Sequence, residues 1–221
     1  MRLIIFDCDG TLVDSQHTIV ERITAAFKGL RYTPPNPGAI RELIGLSLEE
    51  TVQRLLPGSD ALAVDRLVAA YQEQFIEHHR SEGSLEPLFP HADEVLRTLH
   101  SQGYLLGVAT GKSQPGLEAV LEDHKLRDIF STLQTADGHP GKPHPSMLHQ
   151  AMTETGVEAN DTLMLGDTSF DMVMAMNARV HPVGVVWGYH SADALRAAGA
   201  RTVLGNYCDL LPCVEELWSE V

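Results

Sequence analysis

The chain has 221 residues, 43% of them hydrophobic, which excludes a disordered polymer and is enough to bury a full core as one α/β domain or a domain with a smaller insert. Thirty acidic against 16 basic residues leave a formal charge of −14 at pH 7, without the basic footprint that a nucleic-acid or anionic-membrane binder needs. An anionic substrate would have to be attracted by local charge.

Leu3-Ile4-Ile5-Phe6 reads as a short buried strand that opens at once into Asp7-Cys8-Asp9-Gly10-Thr11. In open α/β sheets ligands bind beyond the carboxyl ends of the strands, so two acids at such an end point towards a site. Residues 16–82 offer no strand pattern. There Ile19, Ile23, Phe27 and Leu30 recur at helical spacing, as do Leu48, Val52 and Leu55, and then Val64, Leu67, Val68, Tyr71 and Phe75. This block is expected to be an all-helical insertion, with a turn at Pro34-Pro35-Asn36-Pro37-Gly38 and hinges near Asp14-Ser15 and Glu82-Gly83-Ser84. Further on, apolar runs at 104–110, 129–135, 162–167, 182–187 and 202–204 alternate with helical patterns at 92–102, 114–122, 145–155, 170–177 and 192–198. Several of these helices end before Gly, and one carries Pro145 near its start. The alternation predicts a doubly wound α/β core. Core segments 1–15 and 83–221 would enclose a helical domain at 16–82.

Four short motifs, each just beyond an expected strand, carry the chemistry. A carboxylate at Asp7 can attack a phosphoryl group, dividing one hard hydrolysis into two transfers, and Asp9 can protonate the leaving oxygen and later deprotonate water. Gly10 permits the sharp backbone departure from the strand. The plainer alternative is an acidic turn. In Ala109-Thr110-Gly111-Lys112-Ser113, the Thr110 hydroxyl and the backbone N–H groups around Gly111 can hold phosphate oxygens, or Ser113 can simply cap a helix. Lys142, one of only four lysines and stiffened in Gly141-Lys142-Pro143-His144-Pro145, would neutralise the nucleophile and the transferring group; otherwise it is a loop lysine at the surface. Asp167 and Asp171 flank a strand-to-helix turn, where Asp7 and Asp167 could hold Mg²⁺ and Asp171 could instead cap its helix.

Taken together, Asp7-Cys8-Asp9-Gly10-Thr11-Leu12-Val13-Asp14-Ser15, Thr110, Gly141-Lys142-Pro143 and Gly166-Asp167 with Asp171 resemble the four signature motifs of the haloacid dehalogenase superfamily of phosphatases. The resemblance implies a Rossmann-like core with a helical cap. It makes Asp7 the nucleophile, Asp9 the general acid/base, and Thr110 and Lys142 the phosphate holders. It assigns Mg²⁺ to Asp7, Asp167 and the Asp9 carbonyl, with Asp171 in support. Within the superfamily, Thr-Leu-Val-Asp-Ser and Ile44-Gly45-Leu46-Ser47-Leu48 look most like phosphoglycolate phosphatases. Those usually carry Asn where this chain has Gly111.

Asp9 argues against a dehalogenase, and Lys28, the only lysine in the insertion, lacks the motif of a phosphonate hydrolase. A beta-phosphoglucomutase would carry Arg where Leu48 stands, which disfavours that rival. A silent phosphate-binding protein would tolerate loss of Asp7. Histidines such as His78, His79, His139 and His144 read as solvated surface, and His78, His79 or Arg80 could face the substrate from the end of the insertion. Met164, Met172, Met174 and Met176 read as core filler, and Cys208 and Cys213 as packed thiols. Three cysteines without zinc-type spacing, and an amino terminus too short for a signal-peptide core, suit a reducing cytosol. The expected partner is a small phosphorylated metabolite, with no nucleic acid or membrane, for a monomer or small homo-oligomer.

Overall fold

Leu3–Phe6 forms β1, wholly buried, and the sheet grows outward from it on both sides. The other strands are β2 (Leu105–Thr110), β3 (Phe130–Thr135), β4 (Thr162–Gly166), β5 (His181–Val185) and β6 (Thr202–Leu204). All pair in parallel in the order β3-β2-β1-β4-β5-β6. The computed structural model describes the backbone of residues 1–82 and 86–219, and the side chains of all of these except 75–82. The side chains of Phe75, His78, His79 and Arg80, and the expected hinge at Gly83-Ser84, lie outside the described residues.

Helices cover both faces of the sheet, and the two-residue side-chain period of β1 shows how. Ile4 and Phe6 pack with α5 (Ala92–Ser101), α6 (Gln114–Asp123) and α10 (Leu210–Ser219). Leu3 and Ile5 face the other way, onto α7 (Ser146–Thr155) and α8 (Ser169–Ala178). The short α9 (Ala192–Ala197) packs beside β5 and β6. This is the doubly wound architecture that the alternating pattern predicts. Among the described residues no helix is long and apolar enough to cross a membrane.

Between β1 and α5 the chain forms α1 (Gln16–Gly29), α2 (Pro37–Arg41), α3 (Leu48–Leu55) and α4 (Ala61–Glu82). These helices close around a hydrophobic cluster of their own, with Ile23, Phe27, Ile40, Val52, Val64 and Leu67 at its centre. The chain segments entering and leaving this helical block run side by side. Val13 and Leu88 form an antiparallel bridge, Asp14 N–H donates to the Pro87 carbonyl at 2.9 Å, and Phe89 N–H donates to the Leu12 carbonyl at 3.0 Å.

Several details depart from the sequence expectations. The Pro34–Gly38 stretch is only partly a turn, because Pro37 opens α2, where its missing N–H costs nothing and the Asn36 side chain accepts from Gly38 N–H at 2.7 Å. Met164, Met172 and Met174 fill the core, but Met176 is exposed on the outer side of α8. Cys208 is exposed rather than packed. His139 is half-buried, its ring nitrogens 2.8 Å from the Ser146 hydroxyl and 2.9 Å from Gln134 Oε1, while His144 is exposed.

Because Leu67 is fully buried in the cluster of the helical block, Leu67→Ala should cost about 2–4 kcal/mol, read as a lower urea midpoint. An unchanged midpoint would show that the block contributes nothing to cooperative stability.

Candidate active site

Strand register brings the motifs to one edge. Phe6 pairs with Val108 of β2 and Leu165 of β4, so the residues just beyond these three positions, Asp7, Thr110 and Asp167, emerge together at the carboxyl end of the sheet. Asp7 N–H donates to the Leu165 carbonyl at 2.9 Å, extending the ladder by one residue. Gly10 then turns the chain with φ of +82°, and a side chain there would run into Asp167 and the Tyr189 ring. The turn is braced from below, since the Thr11 carbonyl accepts from Tyr207 O–H at 2.8 Å and Trp187 Nε1–H at 3.2 Å.

Four charged side chains are completely buried here: Asp7, Lys142, Asp167 and Asp171. Lys142 Nζ lies 2.7 Å from Asp7 Oδ1 and 2.7 Å from Asp171 Oδ1. Cys8 N–H also donates to Asp7 Oδ1, at 2.7 Å, whereas the buried Asp7 Oδ2 has no hydrogen-bond partner among the described residues. Asp167 accepts from Thr11 Oγ1–H and Tyr189 N–H, both at 2.9 Å. Asp171 Oδ2 accepts from the Thr168 N–H at 3.0 Å and its hydroxyl at 2.6 Å, and Asp171 N–H returns a bond to Thr168 Oγ1 at 3.3 Å. Asp171 is therefore both a helix cap and a partner of Lys142.

Three carboxylates against one lysine leave uncompensated negative charge out of water. Burial pushes Asp7 well above the usual carboxylate range; the Lys142 charge opposes this, while Asp171 and Asp167 add to it. Asp167 is pushed up to about 7, first by burial and then by Asp171, against the Tyr189 and Thr11 hydrogen bonds. Burial also disfavours the Lys142 charge, but Asp171 and Asp7 outweigh it and raise its value. Oxygens of Asp7, Asp167 and Asp171 lie within 4.8 Å of one another, a donor set that suits a hard divalent cation, and the unpartnered Asp7 Oδ2 gives such an ion an open ligand.

Asp9 lines a cleft of about 740 Å³ between the helical block and the sheet edge. Its Oδ1 lies 2.9 Å from Lys112 Nζ, which in turn lies 3.1 Å from Glu86 Oε2. Burial works against the Lys112 charge, but Asp9 and Glu86 prevail and hold it well above the ordinary lysine range. Lys112, Glu86, Thr11 and Tyr189 carry no role in the motifs legible from the sequence. Lysine is rare enough in this chain that Lys112 could have been singled out, but its partners are distant in sequence. Thr110 is buried at the end of β2, and its Oγ1 accepts from Lys112 N–H at 3.2 Å.

The helical block wall comes down onto the same edge. The Gly45 and Leu46 carbonyls lie so close to Gly111 that a Cβ there would be 2.8 Å from the Gly45 oxygen and closer still to that of Leu46. The missing side chain at position 111 is thus replaced in space by backbone of the Ile44–Leu46 segment. Since those atoms are backbone and cannot rotate aside, Gly111→Ala should displace the segment at a cost of about 1–3 kcal/mol and speed amide exchange at residues 44–47. Unaltered exchange there would show that the contact is not tight.

The family model of haloacid dehalogenase-like hydrolases matches residues 4–185. Over 222 aligned residues the chain is 36% identical to "Probable phosphatase IndB" of Dickeya dadantii (strain 3937), with 97% of this chain and 94% of that protein covered. It is 29% identical to a phosphoglycolate phosphatase of Vibrio parahaemolyticus, with 97% and 96% covered. A solved structure of a hydrolase from Pseudomonas syringae superposes with a TM-score of 0.85 at 26% identity, covering 98% of this chain and 99% of that one. With its parallel sheet, its converging acids and a family match over most of its length, the chain belongs to the haloacid dehalogenase-like hydrolases.

Proposed function

We propose that the protein is a Mg²⁺-dependent phosphatase that hydrolyses a small phosphorylated metabolite, of the phosphoglycolate type, through an aspartyl-phosphate on Asp7. The observation that carries this reading is the state of Asp7: one oxygen is held by Lys142 and the Cys8 N–H, and the other is buried without a partner. A carboxylate fixed in this way is oriented to attack, and relatives named as phosphatases supply the reaction class.

In the first transfer an Asp7 oxygen bonds to phosphorus as the ester P–O bond breaks, and Asp9 gives its proton to the departing oxygen. In the second, a water oxygen bonds to phosphorus, its proton returns to Asp9, and the Asp7–phosphorus bond breaks to release inorganic phosphate. Lys142 and Thr110, with the backbone at Gly10 and Gly111, hold the phosphoryl oxygens. Asp7, Asp167 and the Asp9 carbonyl would hold Mg²⁺, which when bound neutralises charge on the transferring group. Both Asp171 oxygens are already engaged, by Thr168 and by Lys142, which suits a supporting place outside the metal's direct ligands. Residues 16–82 form the cap over a core of 1–15 and 83–221, and the cap excludes bulk water while the leaving group occupies the cleft.

Phosphate release from a panel of phosphorylated metabolites including phosphoglycolate should require Mg²⁺ and be abolished by Asp7→Asn. Turnover by Asp7→Asn comparable to that of the wild type would remove the nucleophile assignment. The metal site has a separate readout in stability. The folded value of Asp167, about 7, stands above its ordinary 3.8, so the stability its protonation contributes is complete below pH ~4 and is lost as pH rises through ~7. Mg²⁺ competes with that proton, and it should therefore raise the unfolding temperature more at about pH 8 than at about pH 5. An equal shift at both pH values would contradict binding by these carboxylates.

A further inference from the structure

We propose that Lys112 and Glu86 are positioning residues for Asp9, an inference that rests on the phosphatase reading and adds a part to it. Three separate segments build the arrangement: the turn after β1 gives Asp9, the turn after β2 gives Lys112, and the segment that returns from the helical block gives Glu86. All three side chains are at least nine-tenths buried, with Lys112 Nζ 2.9 Å from Asp9 Oδ1 and 3.1 Å from Glu86 Oε2.

The lysine stem is fixed as well as its head. Gly116, in the first turn of α6, lies so close that a Cβ there would stand 2.9 Å from Lys112 Cγ and 3.3 Å from Cδ, so the absent side chain makes the channel through which the stem runs. Glu86 is fixed at its backbone, where its carbonyl lies 2.9 Å from His124 Nε2.

A buried ion pair contributes little net stability, and apolar residues of similar volume often serve as well. A cation enclosed by two acids at the edge of the cleft therefore calls for a role beyond holding the fold. Lys112 claims Oδ1 of Asp9, which leaves Oδ2 as the oxygen that carries the proton to the leaving group and takes one back from water. Glu86 keeps Lys112 from swinging into the phosphate site, where it would compete with Lys142.

The test compares Lys112→Met and Glu86→Gln with wild type and Asp9→Asn, using an alkyl phosphate, whose alcohol must be protonated as it leaves, and p-nitrophenyl phosphate, whose phenolate leaves unaided. Because kcat/KM reports on steps up to leaving-group departure, Lys112→Met should lower it about 10- to 100-fold on the alkyl ester and less than about 3-fold on the aryl ester. The second transfer should also slow, so a stoichiometric burst of p-nitrophenolate should appear. Glu86→Gln should show the same pattern with a smaller loss, and it serves as the test if Lys112→Met does not fold. Equal losses on both esters, or no loss on either, would overturn the positioning role. A wild-type protein that hydrolyses neither ester would instead refute the phosphatase reading, and this inference with it.

Discussion

Uncompensated charge at the end of β1 governs much of this structure. Placing Asp7, Asp167 and Asp171 in a wholly buried pocket with a single lysine is costly, because each ion loses its hydration and the acids repel one another. The surroundings answer with donors: the Cys8 N–H, the Thr11 hydroxyl, the Tyr189 N–H and the Thr168 cap each meet a carboxylate oxygen. Those donors come from three different turns, after β1, β4 and β5, so the turns must be held in register, and the Tyr207 and Trp187 side chains beneath Thr11 help to do so. The remaining imbalance suits the divalent cation that the proposed function places there.

Asp7 and Asp9, two residues apart, live in different electrostatic settings. Asp7 is sealed among other acids and shares one lysine with Asp171, whereas Asp9 lies at the edge of the cleft and shares another with Glu86. Environments that differ this much would let two identical carboxyl groups take the different tasks that the proposed mechanism gives them. Separation of the two lysines is part of the design, since neither can serve both acids without moving.

The sheet was legible because parallel strands buried on both faces read as unbroken apolar runs, and every run that was expected to be a strand is one. Edges blurred by a residue or two: Tyr104 lies outside β2, and β5 starts at His181 and ends before Trp187. Helix α2 was not legible, because five residues in a Pro- and Gly-rich stretch give no periodicity to read. Within the site, the acids and Lys142 stood out by their position after strands, and the geometry gathers them at one edge. The ion pairs of Lys112 did not, because they join residues 103 and 26 positions apart and no local pattern encodes such a meeting. Gly111 was legible as a missing side chain, but what fills its place comes from a carbonyl some 65 residues earlier in the chain.

The paired segments on either side of the helical block have a consequence for how such a molecule could change. Because Val13 and Leu88 pack with the core beneath the sheet and bridge one another, the two ends of the helical block are held roughly 5 Å apart there. Most of the entropy of closing that long excursion is thus met by contacts the insertion does not make, and the closure cost grows only with the logarithm of its length. If the helical block is the cap proposed above, the junction works as a socket: helices of another number or shape would fit there without shifting the register of β1, and the chemistry would stay fixed while the recognition surface is exchanged.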